Sequence, residues 1–275
     1  MRDASGLAAI IEMGGEGRRL LLLIGVAMAR LVPVLQIVPF LGGRHLSATV
    51  RGAIGFSLAL FLAPWLGVHA PEGMDAVGLL PIIIKEALLG TLFGFLSSLA
   101  FFAASGIGFL ADNQRGSSMS QLADPMSGED TSPLGSLALE TLVLVFLAIG
   151  GMALFFQAIL TTYAFWPPFS FWPDWSSSPL RELFLGQFSW YLTTMVALAA
   201  PLMLVCFLVD FGMGLMNRFA PQLNVFFLAM PVKSGLVLAL LLVYWNGMIG
   251  SLKGEVLRLP VLWDAMRHVL SPLGA

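Results

Sequence analysis

Few residues of this chain are of types that carry out chemistry, and they are far apart in the sequence. There are three histidines, His45, His69 and His268, and one cysteine, Cys206. No HExxH, CxxC, GxSxG, Walker A or GxGxxG pattern occurs, so nothing in the sequence supports metal-dependent hydrolysis, a nucleophile elbow or nucleotide binding. We interpret the histidines as solvated or interfacial side chains and Cys206 as a small packing residue. The sequence predicts no catalytic, cofactor or metal site and no enzyme.

The composition is that of an integral membrane protein. Of the 275 residues, 58% are hydrophobic and 11% charged, and the mean hydropathy is +0.88. Soluble domains carry roughly a quarter charged residues. The 14 basic and 16 acidic residues nearly cancel, so charge gives no reason to expect a nucleic-acid partner.

Charges inside the apolar runs are the better chemical signal, because a charge at membrane depth is costly and usually has a partner or lines a cavity. Lys85 and Glu86 lie inside such a run. Neighbouring residues point about 100° apart on a helix, so we expect these two to pair poorly with each other. Each is predicted to reach another helix or the aqueous boundary, or to lie at the interface with its end in water.

One long polar stretch interrupts the apolar sequence. Residues 112–133 read DNQRGSSMSQLADPMSGEDTSP and keep neither a helical nor a strand period. The stretch is predicted to be a loop or broken helix. A connection of this length in a compact protein tends to be functional or disordered. We expect a functional loop, with a passive solvent connection as the alternative.

A second interrupted region covers residues 210–233. Asp210, Arg218 and Lys233 bracket it, and Pro221 and Pro231 are predicted to break helical hydrogen bonding. Broken helices at membrane depth are tolerated inside protein or beside water. We expect this region to pack against neighbouring subunits, or else to form a loop at the cytoplasmic surface.

The elements that hold these polar residues are apolar runs that fit a bilayer poorly. About 20 apolar residues cross a membrane, yet residues 79–111 and 134–165 are longer, and 53–68 is shorter. The pattern predicts an all-α membrane protein of long broken helices and hairpins, with helices that face other protein and an oligomeric state. Gly90-xxx-Gly94 is interpreted as a close helix contact or as chance.

Three segments together resemble a known family. These are DNQRGSSMSQLADPMSGEDTSPLGSL (112–137), NRFAPQLNVFFLAMPVKSG (217–235) and RLVPVLQIVPFLGG, at 30–43. They are similar to the T subunit of the type III secretion export apparatus, the SctT, YscT, SpaR and HrcT family, which is homologous to flagellar FliR. The resemblance implies a non-catalytic core subunit of a virulence-type protein export gate in the bacterial inner membrane.

The same resemblance implies the assembly and its partners. The chain would join R and S subunits (SctR/FliP-like and SctS/FliQ-like) in a helical, cone-shaped assembly around a channel for unfolded proteins. The U switch subunit, the V export subunit, inner rod or needle proteins and membrane lipid would be further partners, with no nucleic acid and no cofactor. An R-like part would span residues 1–170, an S-like hairpin part 180–252, and a tail 253–275.

The resemblance also implies roles for two groups of residues. The loop would plug the channel, with small Gly and Ser residues giving a hydrated surface and Met and Leu filling a closed constriction. The plug-loop residues are Asp112, Asn113, Gln114, Arg115, Gly116, Ser117, Ser118, Met119, Ser120, Leu122, Asp124, Pro125 and Met126. The residues expected to pack against other subunits are Asn217, Arg218, Pro221, Gln222, Asn224, Pro231 and Lys233.

A small-molecule secondary transporter is the main alternative. Transporters of this kind also use broken helices and buried charges. They usually carry an inverted repeat, however, and the polar stretches at 112–133 and 217–224 do not resemble each other.

Overall fold

The computed structural model describes residues 2–42, 45–71, 78–116, 132–170, 178–220, 222 and 224–257. Within these ranges the chain is helical, which confirms the predicted all-α class. The helices are α1 (Arg2–Ile37), α2 (Ala48–His69), α3 (Leu80–Arg115), α4 (Pro133–Ala148), α5 (Gly151–Phe165), α6 (Ser178–Phe219) and α7 (Val225–Val256), with a 3-10 turn at Pro39–Leu41.

Local sequence explains several of the helix ends. Ser47 precedes α2 and accepts a hydrogen bond from the Val50 amide, at 3.4 Å. Ser132 caps α4 in the same way, and Pro133 fills the first position, where a missing amide does no harm. Gly150 follows α4 with a φ of +77°, a conformation open to glycine and expensive for other residues. That residue separates α4 from α5.

Five helices in the described ranges are long and apolar enough to cross a membrane, or six spans if the sharply bent pair α4 and α5 counts as one. They differ in how much of their surface other parts of the chain cover. In α3 67% of the most apolar window is buried, against 17% in α6 and 22% in α7. As predicted from its length, α3 faces protein, whereas α6 and α7 present apolar side chains outward.

Two expectations about breaks in the helices are wrong. The last turn of α3 is formed by Asp112, Asn113, Gln114 and Arg115, so the helix runs four residues into the stretch predicted to be a loop or broken helix. Pro231 lies inside α7, which continues through it. Pro231 is the seventh residue of that helix, and because proline has no amide hydrogen it cannot donate to the Phe227 carbonyl, four residues earlier. Proline also lies inside α1, α2 and α6, at Pro33, Pro64 and Pro201. The preceding helix α6 ends at Phe219 and α7 begins at Val225. The end of α6 follows the rule that helices usually end at or before the residue that precedes a proline, here Ala220.

The chain divides into two compact units. The first draws its described residues from Met1–Ser98 and Phe155–Leu180, and the second from Leu99–Leu154 and Arg181–Leu262. The two units are defined by which residues contact each other within the chain. The predicted R-like part at 1–170, S-like part at 180–252 and tail at 253–275 concern family resemblance and remain a prediction.

Glycine allows α1 and α3 to approach closely in the first unit. A methyl group on Gly90 would lie 2.2 Å from the Arg30 carbonyl oxygen, and one on Gly94 would lie 3.1 Å from the Val34 Cα. Neither position therefore has room for a side chain. The Gly90-xxx-Gly94 pair is a packing contact, as one of the two interpretations of the sequence predicted.

Candidate functional site

In the second unit, the two ends of the predicted plug loop are fastened by one carboxylate. Asp112 is buried at the end of α3 and accepts hydrogen bonds from the Ser132 hydroxyl at 2.5 Å and the Leu134 amide at 2.9 Å. Its other oxygen lies 2.7 Å from both Nε and Nη2 of Arg115. A carboxylate at a helix N-terminus is favoured by the helix dipole. Asp112 thus joins the end of α3 to the beginning of α4.

The backbones of α3 and α4 touch beside this carboxylate. A methyl group on Gly108 would lie 2.2 Å from the Gly135 nitrogen, and one on Gly135 would lie 2.8 Å from the Ser105 carbonyl oxygen. Glycine is required at both positions for this approach. Gly116 directly follows α3 and Ser132 directly precedes α4, and the two helices are in direct contact near these ends.

Lys233 of α7 contacts the same end of α3. Its Nζ lies 2.5 Å from Oδ1 of Asp210 on α6 and 3.1 Å from the carbonyl oxygen of Gln114. The Lys233 side chain is largely buried, whereas 47% of the Asp210 side chain is exposed. One ammonium group therefore links α3, α6 and α7 within the second unit.

An apolar cavity of about 730 Å³ opens beside this lysine. Gln114 and Asp210 contribute its polar lining, and α6 supplies the rest. The α6 residues are Val196, Ala197, Ala200, Pro201, Met203, Leu204 and Phe207.

The first unit contains a buried cluster of three charges. Arg30 on α1 and Glu86 on α3 are fully buried, and their Nε and Oε2 atoms are 2.6 Å apart. Glu86 Oε1 lies 2.9 Å from Nζ of Lys85, an ion pair that lacks the alignment of a good hydrogen bond. The expectation that Lys85 and Glu86 pair poorly is therefore wrong, because the long lysine side chain bends back to its neighbour. Both residues also reach other elements, as predicted.

Every nitrogen of Arg30 has a partner. Nη1 donates to the Thr162 hydroxyl at 3.0 Å and Nη2 to the Trp166 carbonyl at 2.8 Å, and the guanidinium carbon lies 4.3 Å from the centre of the Tyr163 ring. A buried charge is tolerated when its hydrogen bonds are satisfied in this way. The sequence assigned Arg30 no site, because its partners are 56 to 136 residues away along the chain.

Lys85 fixes the turn that follows α5. Its Nζ donates to the carbonyl oxygens of Pro168 at 2.6 Å and Ser170 at 2.8 Å. Backbone carbonyls in a turn cannot all pair within the turn, so a cation with several donors satisfies them. Residues 166–170 are thus held to the rest of the first unit through their backbone carbonyls.

The predicted site residues have different outcomes. Of the plug set, Asp112 to Gly116 are described and Ser117 to Met126 lie outside the described residues. Of the packing set, the described residues Asn217, Arg218, Gln222, Asn224 and Pro231 are exposed, Lys233 is buried, and Pro221 is outside the described residues. Asn224 precedes α7 without a side-chain capping hydrogen bond. The role in subunit packing stays a prediction.

Fold and charge clusters define a class: an all-helical membrane protein whose described buried charges are neutralised within the chain. No group of three or more His, Cys, Asp or Glu that could hold a metal occurs among the described residues. Comparison with known proteins then gives the family. Residues 21–259 match the model of bacterial export proteins, family 1, and the chain belongs to this family.

Named proteins of bacterial secretion and flagellar systems are similar to this chain over most of its length. It is 38% identical over 228 residues to the Yop proteins translocation protein T of Yersinia pestis, covering 82% of this chain and 87% of that protein. Identity to the surface presentation of antigens protein SpaR of Salmonella typhimurium is 31% over 234 residues, which cover 85% of this chain and 86% of that protein. Identity to the flagellar biosynthetic protein FliR of Bacillus subtilis is 24% over 238 residues, covering 86% and 90%. The predicted resemblance to type III secretion T subunits and FliR is confirmed.

Proposed function

We propose that this chain is the T subunit of a type III secretion export gate in the bacterial inner membrane. The match to the export family over residues 21–259 carries this proposal, and the higher identity to translocation protein T than to FliR supports the secretion branch. The chain would assemble with R and S subunits and contact the U, V and rod or needle proteins named above. Its role would be to enclose a path for unfolded protein, without catalysis.

The outward apolar faces of α6 and α7 support an assembled state. Large side chains on both helices are exposed in the isolated chain, such as Phe207, Phe211 and Leu242. Contiguous apolar surface of this kind is covered by lipid or by partner subunits. In a gate, part of this apolar surface would face lipid and the rest would pack against partner subunits.

We further propose that the segment between Gly116 and Ser132 closes the resting channel. Asp112 fastens the two helix ends from which this segment starts and returns, so its anchor does not depend on the segment itself. The sequence in between is rich in Ser and Gly, with Met119, Leu122 and Met126 available to fill a constriction. Flexible methionine and leucine side chains can repack each time the channel opens and closes, while the Asp112 hydrogen bonds keep the ends of the segment in place.

Deletion of residues 116–128 tests this role. The assembled complex carrying the deletion should leak small ions across the inner membrane, whereas deletion of the equally long tail segment 263–275 should leave it tight. Assembly is checked by the amount of complex recovered with tagged partner subunits. A fully assembled deletion complex as tight as the unmodified one would rule out the plug.

A further inference from the structure

We propose that Lys233 is a positioning residue of the gate: its ammonium group holds the last turn of α3 against α6 and α7 and thereby keeps the resting channel closed. This inference rests on the proposed plug function. It concerns the described end of α3, and the contacts that carry it all lie in the second unit.

The geometry gives Lys233 contacts to helices that Asp112 does not reach. Asp112 ties the last turn of α3 to α4, through Ser132 and Leu134. Lys233 ties the same turn to the other two helices of the unit, through the Gln114 carbonyl and Asp210. With both ties in place, the end of α3 is fixed to three different helices.

The Gln114 carbonyl needs a donor from outside its helix. The last four carbonyls of a helix have no intrahelical amide partner, and a cation near that end also interacts favourably with the helix dipole. The Asn113 carbonyl receives the Gly116 amide at 3.2 Å, and the Gln114 carbonyl receives Lys233. In apolar surroundings an unsatisfied carbonyl costs free energy, so removing the ammonium destabilises this particular position of the helix end.

The contact to α3, rather than the ion pair, is expected to carry most of the effect. Asp210 is 47% exposed, and exposed ion pairs are weakened by solvent. The Lys233 side chain is largely buried, and its hydrogen bond to the Gln114 carbonyl is partly buried. Loss of Lys233 should therefore matter more than loss of the Asp210 charge.

The structure also provides room for movement. The cavity of about 730 Å³ opens onto the exposed face of α6 and is lined by Gln114 and Asp210, the two residues that Lys233 contacts. A packed helix end moves only into existing space, because protein interiors resist compression. Release of the ammonium would let the last turn of α3 shift toward this cavity.

The test compares four variants in the assembled complex. Lys233→Met removes the charge at similar length, Lys233→Arg keeps donors and charge, Asp210→Asn removes the ion pair alone, and Lys253→Met is the control. Lys253 lies on the same helix and is exposed. The resting ion leak should rise about tenfold in Lys233→Met, the change that a 1.4 kcal/mol shift between two states produces. Lys233→Arg and Lys253→Met should stay tight, and Asp210→Asn should leak less than Lys233→Met.

Hydrogen exchange of the complex provides a second readout that does not depend on the plug. In Lys233→Met the amides of Asp112 to Arg115 should exchange about tenfold faster, because local opening of the helix end becomes easier by the same amount. The amides of α2 should be unchanged. Equal amounts of assembled complex for each variant exclude a general folding defect.

The outcomes separate the two proposals. If the loop deletion leaks while Lys233→Met is tight and exchanges normally, the plug stands and the role of Lys233 is wrong. If neither leaks but exchange at Asp112 to Arg115 rises, Lys233 positions the helix end and the plug is wrong. If Asp210→Asn matches Lys233→Met in both readouts, the ion pair is responsible, and the assignment to the Gln114 carbonyl is overturned.

Discussion

At the scale of single residues, this chain neutralises its buried charges with partners from distant parts of the sequence. In the first unit Glu86 pairs with both Arg30 and Lys85, and these two cations also donate to five backbone or hydroxyl oxygens. Glu86 is the single carboxylate between two cations there. Its negative charge is therefore the part of the cluster that the others depend on most.

Replacement of Glu86 by Gln should destabilise the protein strongly. Glutamine is almost the same size but leaves Arg30 and Lys85 without a counter-charge, and breaking a buried ion pair costs about 3–5 kcal/mol. The midpoint of thermal unfolding of the purified complex, and the amount of complex recovered, measure the effect. Glu140→Gln is the matched control, because Glu140 is exposed on α4 and such a change costs about 0.5 kcal/mol or less. A Glu86→Gln complex as stable as this control would contradict the account.

Sequence reasoning identified some of these residues and missed others for a definite reason. Lys85 and Glu86 stand out because they are adjacent charges in an apolar run. The carbonyls of Trp166, Pro168 and Ser170 have no sequence signal, since every residue has a carbonyl and only the fold decides which ones lack an amide. The Asp112 carboxylate was noticed as part of a polar stretch, but its contacts to Ser132 and Leu134 require the return of the chain.

At the scale of elements, glycines in α3 determine how closely other helices approach it. Gly90 and Gly94 meet the backbone of α1 in the first unit, and Gly108 meets the backbone of α4 in the second. Gly106 is different, because a methyl group there would meet the flexible side chain of Met195, 2.4 Å from its sulfur. Gly106 and Gly108 lie two residues apart on α3 and therefore allow a controlled comparison.

Gly108→Ala should destabilise the contact between α3 and α4, whereas Gly106→Ala should be nearly neutral. At Gly108 the added methyl meets backbone that cannot move independently, and overpacking of this kind costs about 1–3 kcal/mol. At Gly106 the methionine can change rotamer, and alanine gains up to about 1 kcal/mol of helix propensity. Thermal unfolding of the two variants measures the difference. Equal midpoints would mean that the close approach at Gly108 is not required.

Sequence patterns located the helices better than they located the helix ends. The apolar runs at 79–111 and 134–165 correspond to α3 and to the broken pair α4 and α5. The end of α3 was placed too early, because polar residues at 112–115 look like a loop in isolation but are paired in the fold. Pro231 was expected to break a helix, but α7 continues through it, because membrane helices tolerate proline where other groups satisfy the freed backbone carbonyl.

At the scale of the whole molecule, the outward apolar surfaces of α6 and α7 predict that the isolated chain is incomplete. We expect a lower midpoint of thermal unfolding for the purified chain alone than for the chain purified with R and S subunits. Partners present at 100 times their dissociation constant would add about 2.7 kcal/mol. An unrelated membrane protein added in the same amounts is the control. A chain that is equally stable alone, as a single species or a symmetric oligomer, would instead favour the transporter alternative.

The buried guanidinium of Arg30 also has a consequence for biosynthesis. The ribosome completes α1 before Glu86 exists, and long before Thr162 and Trp166 are made. The apolar segment around Arg30 therefore reaches the insertion machinery with an uncompensated cation, which at the centre of a helix costs about 2.5–3.5 kcal/mol. Leucine-rich residues 20–23 must offset that penalty until α3 arrives with the missing anion. The order of synthesis thus leaves the Arg30 charge without its carboxylate partner until α3 has been made.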